Sequence, residues 1–328
     1  MTNNNIKRIA VFTSGGDAPG MNAAIRAVAR TAIYHDLHVY GITNGYDGMI
    51  RGDISRLELR DVGNIMQRGG TILKTARSKE FMTVEGRLKA IESLKAHDID
   101  ACVAIGGNGT FTGASVFNAE HDIPFVGLPG TIDNDLFGTD YTIGFDTAIN
   151  TAMEAVDKIR DTADSHNRLF FIEVMGRHSG YIALHTAIGT GASNVFLPEM
   201  TNSVEDLISE LRISAKRHKL FNLVIVAEGN LSGNADELAK IVKEKAPEFD
   251  TKVSVIGHLQ RGGSPTCADR VLASRLGHAA VEALIHGKKN VAIGIVNDHI
   301  TYTKFEDAIT KTKALNKELI DMAHILAI

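Results

Sequence analysis

Cysteine is scarce: among 328 residues only Cys102 and Cys267 carry a thiol. Neither belongs to a Cys-x-x-Cys pair, and two thiols cannot build a disulfide framework. Cys102 lies in the apolar run Ala-Cys-Val-Ala-Ile at 101–105 and reads as a small buried hydrophobe. No apolar stretch approaches the roughly 18 residues of a membrane-spanning helix. The opening MTNNNIKRIAVF lacks the charged-then-apolar layout of a secretory signal. Positive charge is not in excess: 35 Lys and Arg face 39 Asp and Glu, a net charge of −4. That balance argues against a nucleic-acid or anionic-membrane partner. The expectation is a reduced, cytoplasmic protein. Several chemistries are also missing. There is no His-Glu-x-x-His and no Cys/His cluster, so a zinc site is not expected. Neither a Gly-Lys-Ser/Thr phosphate loop nor Gly-x-Gly-x-x-Gly is present, which speaks against a Walker-type ATPase and a dinucleotide dehydrogenase.

Glycine, by contrast, is plentiful: 31 residues, above the roughly 7% usual in proteins. The glycines end short apolar runs. Runs at 9–12, His38–Ile42, 101–105, 125–128, Leu169–Val174, 223–226, 253–256 and Val291–Val296 read as strands, and helical spacing recurs at 22–33, 235–246 and 271–285. Near-continuous apolar strands alternating with helices predict a parallel sheet covered on both faces, a doubly wound α/β architecture. The length suggests two domains. Pro- or Ser-rich linkers are absent, so no domain boundary shows as a shift in composition.

Ligands of such folds sit beyond the carboxyl ends of the strands, where these glycine turns fall. Ser14-Gly15-Gly16-Asp17-Ala18-Pro19-Gly20 and Gly106-Gly107-Asn108-Gly109-Thr110 each lead from a strand to a helix. Bare backbone N–H groups at a helix start suit phosphate, and two such turns suggest a polyphosphate. Tight turns without a ligand have the same composition. Thr131-Ile132-Asp133-Asn134-Asp135 supplies two carboxylates, one for a base and one for Mg²⁺, the pair that phosphoryl transfer asks for. An Asx-turn cluster is the competing reading. Arg77, Arg87, Arg168, Arg177 and Arg261 punctuate the same edge, and guanidinium matches phosphate oxygens in pairs. Lys216-Arg217-His218-Lys219 reads as a solvated helix face.

Taken in order, TSGGDAPGMNAAIR (13–26), RGGT (68–71), GLPGTIDND (127–135), TIGFDTA (142–148), VMGRHSG (174–180) and GHLQRGGSP (257–265) closely resemble the bacterial ATP-dependent 6-phosphofructokinases, from about residue 6 to beyond 309. The resemblance implies two doubly wound, phosphofructokinase-like α/β domains with mainly parallel sheets. Residues 1–144 with 256–308 would form the larger, ATP-binding domain, and 145–255 with 309–328 the smaller, sugar-phosphate domain. It implies fructose 6-phosphate and ATP as substrates, Mg²⁺ as cofactor, and a homotetramer sharing its active sites. Asp133 is then the base for the sugar 1-hydroxyl, with Arg177, Gly16 and Thr131 at the transferred phosphoryl group. Gly16, Tyr46, Arg77, Arg87, Gly107, Asn108, Gly109 and Thr110 fall in the ATP site. Met175, Gly176, Arg177, Glu228, His258 and Arg261 hold the sugar phosphate with Thr131 and Asp133, and Arg168 and Lys252 reach it from a neighbouring subunit. Asp135 takes Mg²⁺, with Asn108 as a second metal position.

Some positions depart from the family. Asn108 stands where a second aspartate is usual, and Lys252 where arginine is usual. In the effector site, Arg26, Arg30, Arg160, Arg217 and Lys219 match. Leu59, Asn64, Ser193 and Leu220 replace an arginine, an aspartate, a glutamate and a lysine. Weak or redirected regulation by ADP and phosphoenolpyruvate is the expectation. Gly109 and Gly130 stand where pyrophosphate-using relatives carry an acid and a lysine, so ATP is the expected donor. A pyrophosphate-dependent enzyme and a catalytically weakened regulatory paralogue are the alternatives.

Overall fold

The computed structural model describes residues 6–166, 168–201, 203–217 and 222–327. Among these the strands, in chain order, are β1 Arg8–Thr13, β2 His38–Ile42, β3 Ile54–Leu57, β4 Ala101–Gly106, β5 Phe125–Pro129, β6 Leu169–Val174, β7 Asn194–Phe196, β8 Asn222–Ala227, β9 Thr251–Val255, β10 Val291–Val296 and β11 His299–Lys304. They form two sheets, ordered β11-β10-β5-β4-β1-β2-β3 and β7-β8-β6-β9. All neighbours pair in parallel except β2 with β3 and β10 with β11. The chain is α/β with mainly parallel sheets, as its strand–helix alternation predicts.

Contacts divide the chain into two compact units. One runs to Ile132 and adds Leu136–Thr147 and Arg261–Lys313; the other holds Asp133–Asp135, Ala148–Gln260 and the chain from Ala314. In the first unit, Ile9, Ala10, Val11 and Phe12 of β1 are all fully buried, as a parallel strand covered on both faces must be. One face packs Phe12 with Tyr46, Phe111, Phe117 and Phe125. Against the other lie the helices Met21–Tyr34 and Cys267–Ile285, which approach so closely that a Cβ on Gly277 falls 2.7 Å from that of Ala27. The second unit has its own core, built around Phe171, Phe196, Val224, Val226, Leu238 and Val242.

The second helix of that close pair starts four residues before its apolar periodicity does. Thr266 caps it, its Oγ1 accepting from the Asp269 N–H at 3.3 Å. Asp269 is 1% exposed. Its Oδ1 accepts from the Gly144 N–H at 2.8 Å, and its Oδ2 from the Thr147 N–H at 2.8 Å and the Thr147 hydroxyl at 2.6 Å. These bonds pin the TIGFDTA segment, whose Thr142 hydroxyl donates to the Thr131 carbonyl at 2.6 Å. Burial pushes the Asp269 carboxyl up to about 6, against the pull of those hydrogen bonds. The unfolded carboxyl titrates near 3.9, so the folded protein holds a proton that the unfolded chain has already released. The stability this supplies is complete below about pH 4 and lost as pH rises through about 6. Asp269→Asn cannot titrate. Urea melts should show a flatter stability–pH profile between those limits, on a protein less stable throughout by about 1–3 kcal/mol for the lost acceptor. An unchanged slope contradicts this account.

Candidate active site

In the first unit the turns after β1, β4 and β5 are stitched together at the strand ends. The Ser14 N–H donates to the Ile105 carbonyl and the Gly130 N–H to the Gly106 carbonyl, each at 3.0 Å, and the Thr110 hydroxyl donates to the Ser14 carbonyl at 3.2 Å. Gly106 has no room for a side chain, since a Cβ would meet Thr110 Oγ1 at 2.3 Å and the Ser14 carbonyl at 2.5 Å. Gly15 turns with φ 85°, a conformation costly for other residues. The Arg261 guanidinium lies over Gly16: Nη1 donates to the Asp17 carbonyl at 3.2 Å and is 2.7 Å from where a Gly16 Cβ would stand. The helix Asn108–His121 begins at Gly107 with no side-chain cap and no acid in its first turn. Asn108 is its first residue, and the positive end of the helix dipole there suits an anion. Around Gly109 nothing stands within 4 Å of an added Cβ.

In the second unit, the Asp133 side chain is nearly enclosed, with a residue exposure of 4%. Its Oδ2 lies 3.8 Å from Arg177 Nε, and its carbonyl accepts from the Ser179 hydroxyl at 2.8 Å. Arg177 follows β6 in a left-handed turn, φ 53°. Glu228, at the end of β8, holds that turn: its Oε1 accepts from the Gly176 N–H at 3.3 Å and the Arg177 N–H at 2.8 Å. Buried Gln260 accepts from the Met175 N–H at 2.9 Å. Gly229 is required by the Arg177 backbone, whose carbonyl would be 1.6 Å from a Cβ there. Arg168 Nε and Lys252 Nζ share the Asp250 carboxylate at 3.0 and 2.7 Å, which draws its pKa down, Lys252 more than Arg168. His258 and Arg77 are exposed, and Asp135 is half-buried.

This architecture matches a known family. The phosphofructokinase model matches residues 8–284. The chain belongs to the phosphofructokinase family. A protein of Cytophaga hutchinsonii called ATP-dependent 6-phosphofructokinase is 55% identical over 321 residues, 98% of each chain. One of Thermus thermophilus, ATP-dependent 6-phosphofructokinase 1, is 54% identical over 323 residues, covering 98% of this chain and all of that one. Among solved structures, phosphofructokinase from Saccharomyces cerevisiae superposes with a TM-score of 0.90 at 37% identity, over 98% of this chain and 48% of that longer one. A pyrophosphate-dependent phosphofructokinase from Marinobacter aquaeolei gives 0.84 at 26% identity, over 98% of this chain and 92% of that one.

Within the phosphofructokinase frame, two residues expected at the nucleotide have their side chains engaged inside the first unit. Arg87 is 8% exposed, and its guanidinium is spent inside the unit. Nε and Nη2 donate to Glu120 at 2.6 and 2.7 Å, and Nη1 to the Phe81 and Met82 carbonyls at 3.0 and 2.9 Å. Four of the five N–H groups of an arginine are used, so Arg87 braces the 81–87 turn. Tyr46 stacks on Phe81 at 3.9 Å and donates its hydroxyl to the Thr110 carbonyl at 2.6 Å. It shapes the second glycine turn from within the core. Burial pushes its phenol well up, so the hydroxyl remains a donor.

Of the residues expected at an effector site, Arg217 and Ser193 line one cavity of about 280 Å³ with Glu210, Ser214 and His324. Arg160 donates to the Thr190 carbonyl. Arg26 and Arg30 lie on the helix Met21–Tyr34 of the first unit, and Leu59 and Asn64 also belong to that unit. Lys219 and Leu220 fall outside the described residues. Four residues take structural roles that no motif marks: Ser179, Gln260, Thr142 and Asp269. The first three sit inside the motif segments, where a hydroxyl or amide used only on backbone leaves no charge pattern to notice, and Asp269 lies four residues beyond the last of them.

Proposed function

We propose that this chain transfers the terminal phosphoryl group of ATP to the 1-hydroxyl of fructose 6-phosphate, giving fructose 1,6-bisphosphate and ADP. The observation that carries the reading is Asp133, an enclosed carboxylate beside the Arg177 guanidinium, in a chain 55% identical to a relative called ATP-dependent 6-phosphofructokinase. Asp133 accepts the proton of the attacking hydroxyl, a role worth about 10²–10⁴ in rate. Arg177 and the Gly16 N–H stabilise charge on the moving phosphoryl group, with Thr131 beside it. Gly107, Asn108, Gly109, Thr110 and Arg77 serve ATP in the first unit. Met175, Gly176, Glu228 and His258, with Arg261, serve the sugar phosphate. Arg168 and Lys252 do so for a neighbouring subunit of a homotetramer in the cytoplasm.

The donor set suits Mg²⁺ carried in on phosphate oxygens. Asp135 offers a carboxylate and Asn108 a neutral amide oxygen, while no group of three or more His, Cys, Asp or Glu among the described residues could cage a metal. When bound, Mg²⁺ neutralises charge on the transferring phosphates. The changed residues Leu59, Asn64 and Ser193 reduce the response to ADP and phosphoenolpyruvate.

The test is product analysis by ³¹P NMR after incubation with ATP, Mg²⁺ and fructose 6-phosphate. Equal amounts of ADP and fructose 1,6-bisphosphate are expected, and no bisphosphate at all contradicts the reading. Donor choice can be tested at Gly109. The open space there admits Gly109→Asp without repacking, whereas a Cβ on Gly130 meets Ile105 at 2.9 Å and Met21 at 3.0 Å. A carboxylate at 109 faces the polyphosphate. KM for ATP should rise about tenfold or more, each ~1.4 kcal/mol of repulsion counting tenfold, with the thermal midpoint unchanged. An unaltered KM removes Gly109 from the ATP site.

A further inference from the structure

The sequence Gln-Arg-Gly-Gly occurs at 67–70 and again at 260–263. Arg68, Gly69 and Gly70 and their counterparts Arg261, Gly262 and Gly263 all belong to the first unit. The two turns lie backbone to backbone. A Cβ on Gly69 would stand 2.3 Å from the Gly263 carbonyl oxygen, 3.1 Å from its carbon and 3.2 Å from its nitrogen. The Ser264 hydroxyl donates to the Gln67 carbonyl at 2.8 Å across the same contact.

The first turn is itself fixed from below. Asn22 is 1% exposed. Its Nδ2 donates to the Arg68 carbonyl at 3.0 Å and the Gly69 carbonyl at 3.3 Å, and its Oδ1 accepts from the Ile72 N–H at 2.8 Å. The turn's far end is tied to the first glycine turn: the Thr75 hydroxyl donates to the Gly15 carbonyl and the Thr13 hydroxyl to the Lys74 carbonyl, both at 2.8 Å. One rigid bed thus carries both Gly15-Gly16 and the second Arg-Gly-Gly turn. Two residues before Gly263 is Arg261, whose guanidinium lies over Gly16.

We propose that Gly69 is a positioning residue for Arg261: the thickness of the glycine-on-glycine contact sets where the Arg261 guanidinium stands above Gly16. The inference rests on the reading of Arg261 as a sugar-phosphate contact and adds what holds that contact in register. A side chain at 69 wedges the turns apart, because packed backbone has no slack to absorb a 2.3 Å approach. Arg261 then loses alignment with a bound phosphate, and paired guanidinium contacts depend steeply on alignment.

Steady-state kinetics of the full chain, with fructose 6-phosphate and ATP each varied, test this. Gly69→Ala should raise KM for fructose 6-phosphate about tenfold while kcat and KM for ATP stay near wild type, the pattern of lost ground-state binding. In an Arg261→Ala background, Gly69→Ala should raise KM no further, since the two act through one contact. Additive effects, or an unchanged KM in a folded Gly69→Ala protein, overturn the proposal. If Gly69→Ala does not fold, Ser264→Ala carries the test without added bulk. It should raise the same KM about threefold, the scale of one hydrogen bond, and no rise overturns the proposal. Wild-type protein that does not phosphorylate fructose 6-phosphate defeats the functional reading itself, an outcome distinct from any of these.

Discussion

Asp133→Ser lowers kcat for phosphoryl transfer from ATP to fructose 6-phosphate by about 10²–10⁴, the usual worth of a positioned base, and leaves both KM values close to wild type. The side chain is enclosed and short, and its backbone is fixed by the Ser179 hydroxyl and by Asn134 in a left-handed turn, φ 51°. Serine keeps the small volume and a polar atom but cannot take a proton at neutral pH. Loss of kcat without loss of affinity is the mark of an interaction made in the transition state alone. Initial rates over a grid of both substrates give the split. Wild-type kcat in the variant removes Asp133 from the chemistry. A rise in KM at constant kcat makes it a binding residue only.

The second large effect is expected from a residue with no side chain. Gly229 follows Glu228 at the end of β8, and a methyl group there overlaps the Arg177 carbonyl at 1.6 Å. The 175–178 turn must retreat or the β8 end must bend. Either movement breaks the grip of Glu228 on the Gly176 and Arg177 N–H groups and carries Arg177 away from Asp133. A misplacement of about 1 Å costs on the order of 10² in rate, and forced overpacking costs about 1–3 kcal/mol in stability. Gly229→Ala should therefore lose about a hundredfold in kcat/KM for the sugar phosphate and melt at lower temperature. Retained activity with an unchanged melt shows that the turn has slack the structure denies.

The glycine turns and the strands they follow were legible in the sequence because both signals are local. An apolar run of five or six residues closed by glycine marks a buried parallel strand, and β1, β4, β5 and β6 appear within a residue or so of their runs. β3, β7 and β11 were missed for physical reasons. β3 is an edge strand with Ser55 and Arg56 exposed at its centre, β7 is only Asn194–Phe196, and β11 is a half-exposed antiparallel edge. None of them has the apolar continuity that betrays a strand covered on both faces. The early start of the helix Cys267–Ile285 was hidden because its first turn is set by the Thr266 cap and not by apolar spacing.

The site divides along the same line. Asp133, Arg177 and Arg261 stand out in the sequence because charge at a strand end is conspicuous, and the structure brings Asp133 to Arg177 and Arg261 over Gly16. The partner of Arg87 is invisible in the sequence, which shows the charge alone: Glu120 lies 33 residues away. Ser179, Gln260 and Asn22 carry no such signal, because their work is to hold backbone through hydrogen bonds that only the folded chain reveals.

The most direct measurement is a coupled assay of the purified chain with fructose 6-phosphate and Mg²⁺, comparing ATP with pyrophosphate as donor. Turnover with ATP and little or none with pyrophosphate is expected, because Gly109 stands in open space and Gly130 is packed without a side chain. Preference for pyrophosphate, or no turnover with either donor, contradicts that expectation.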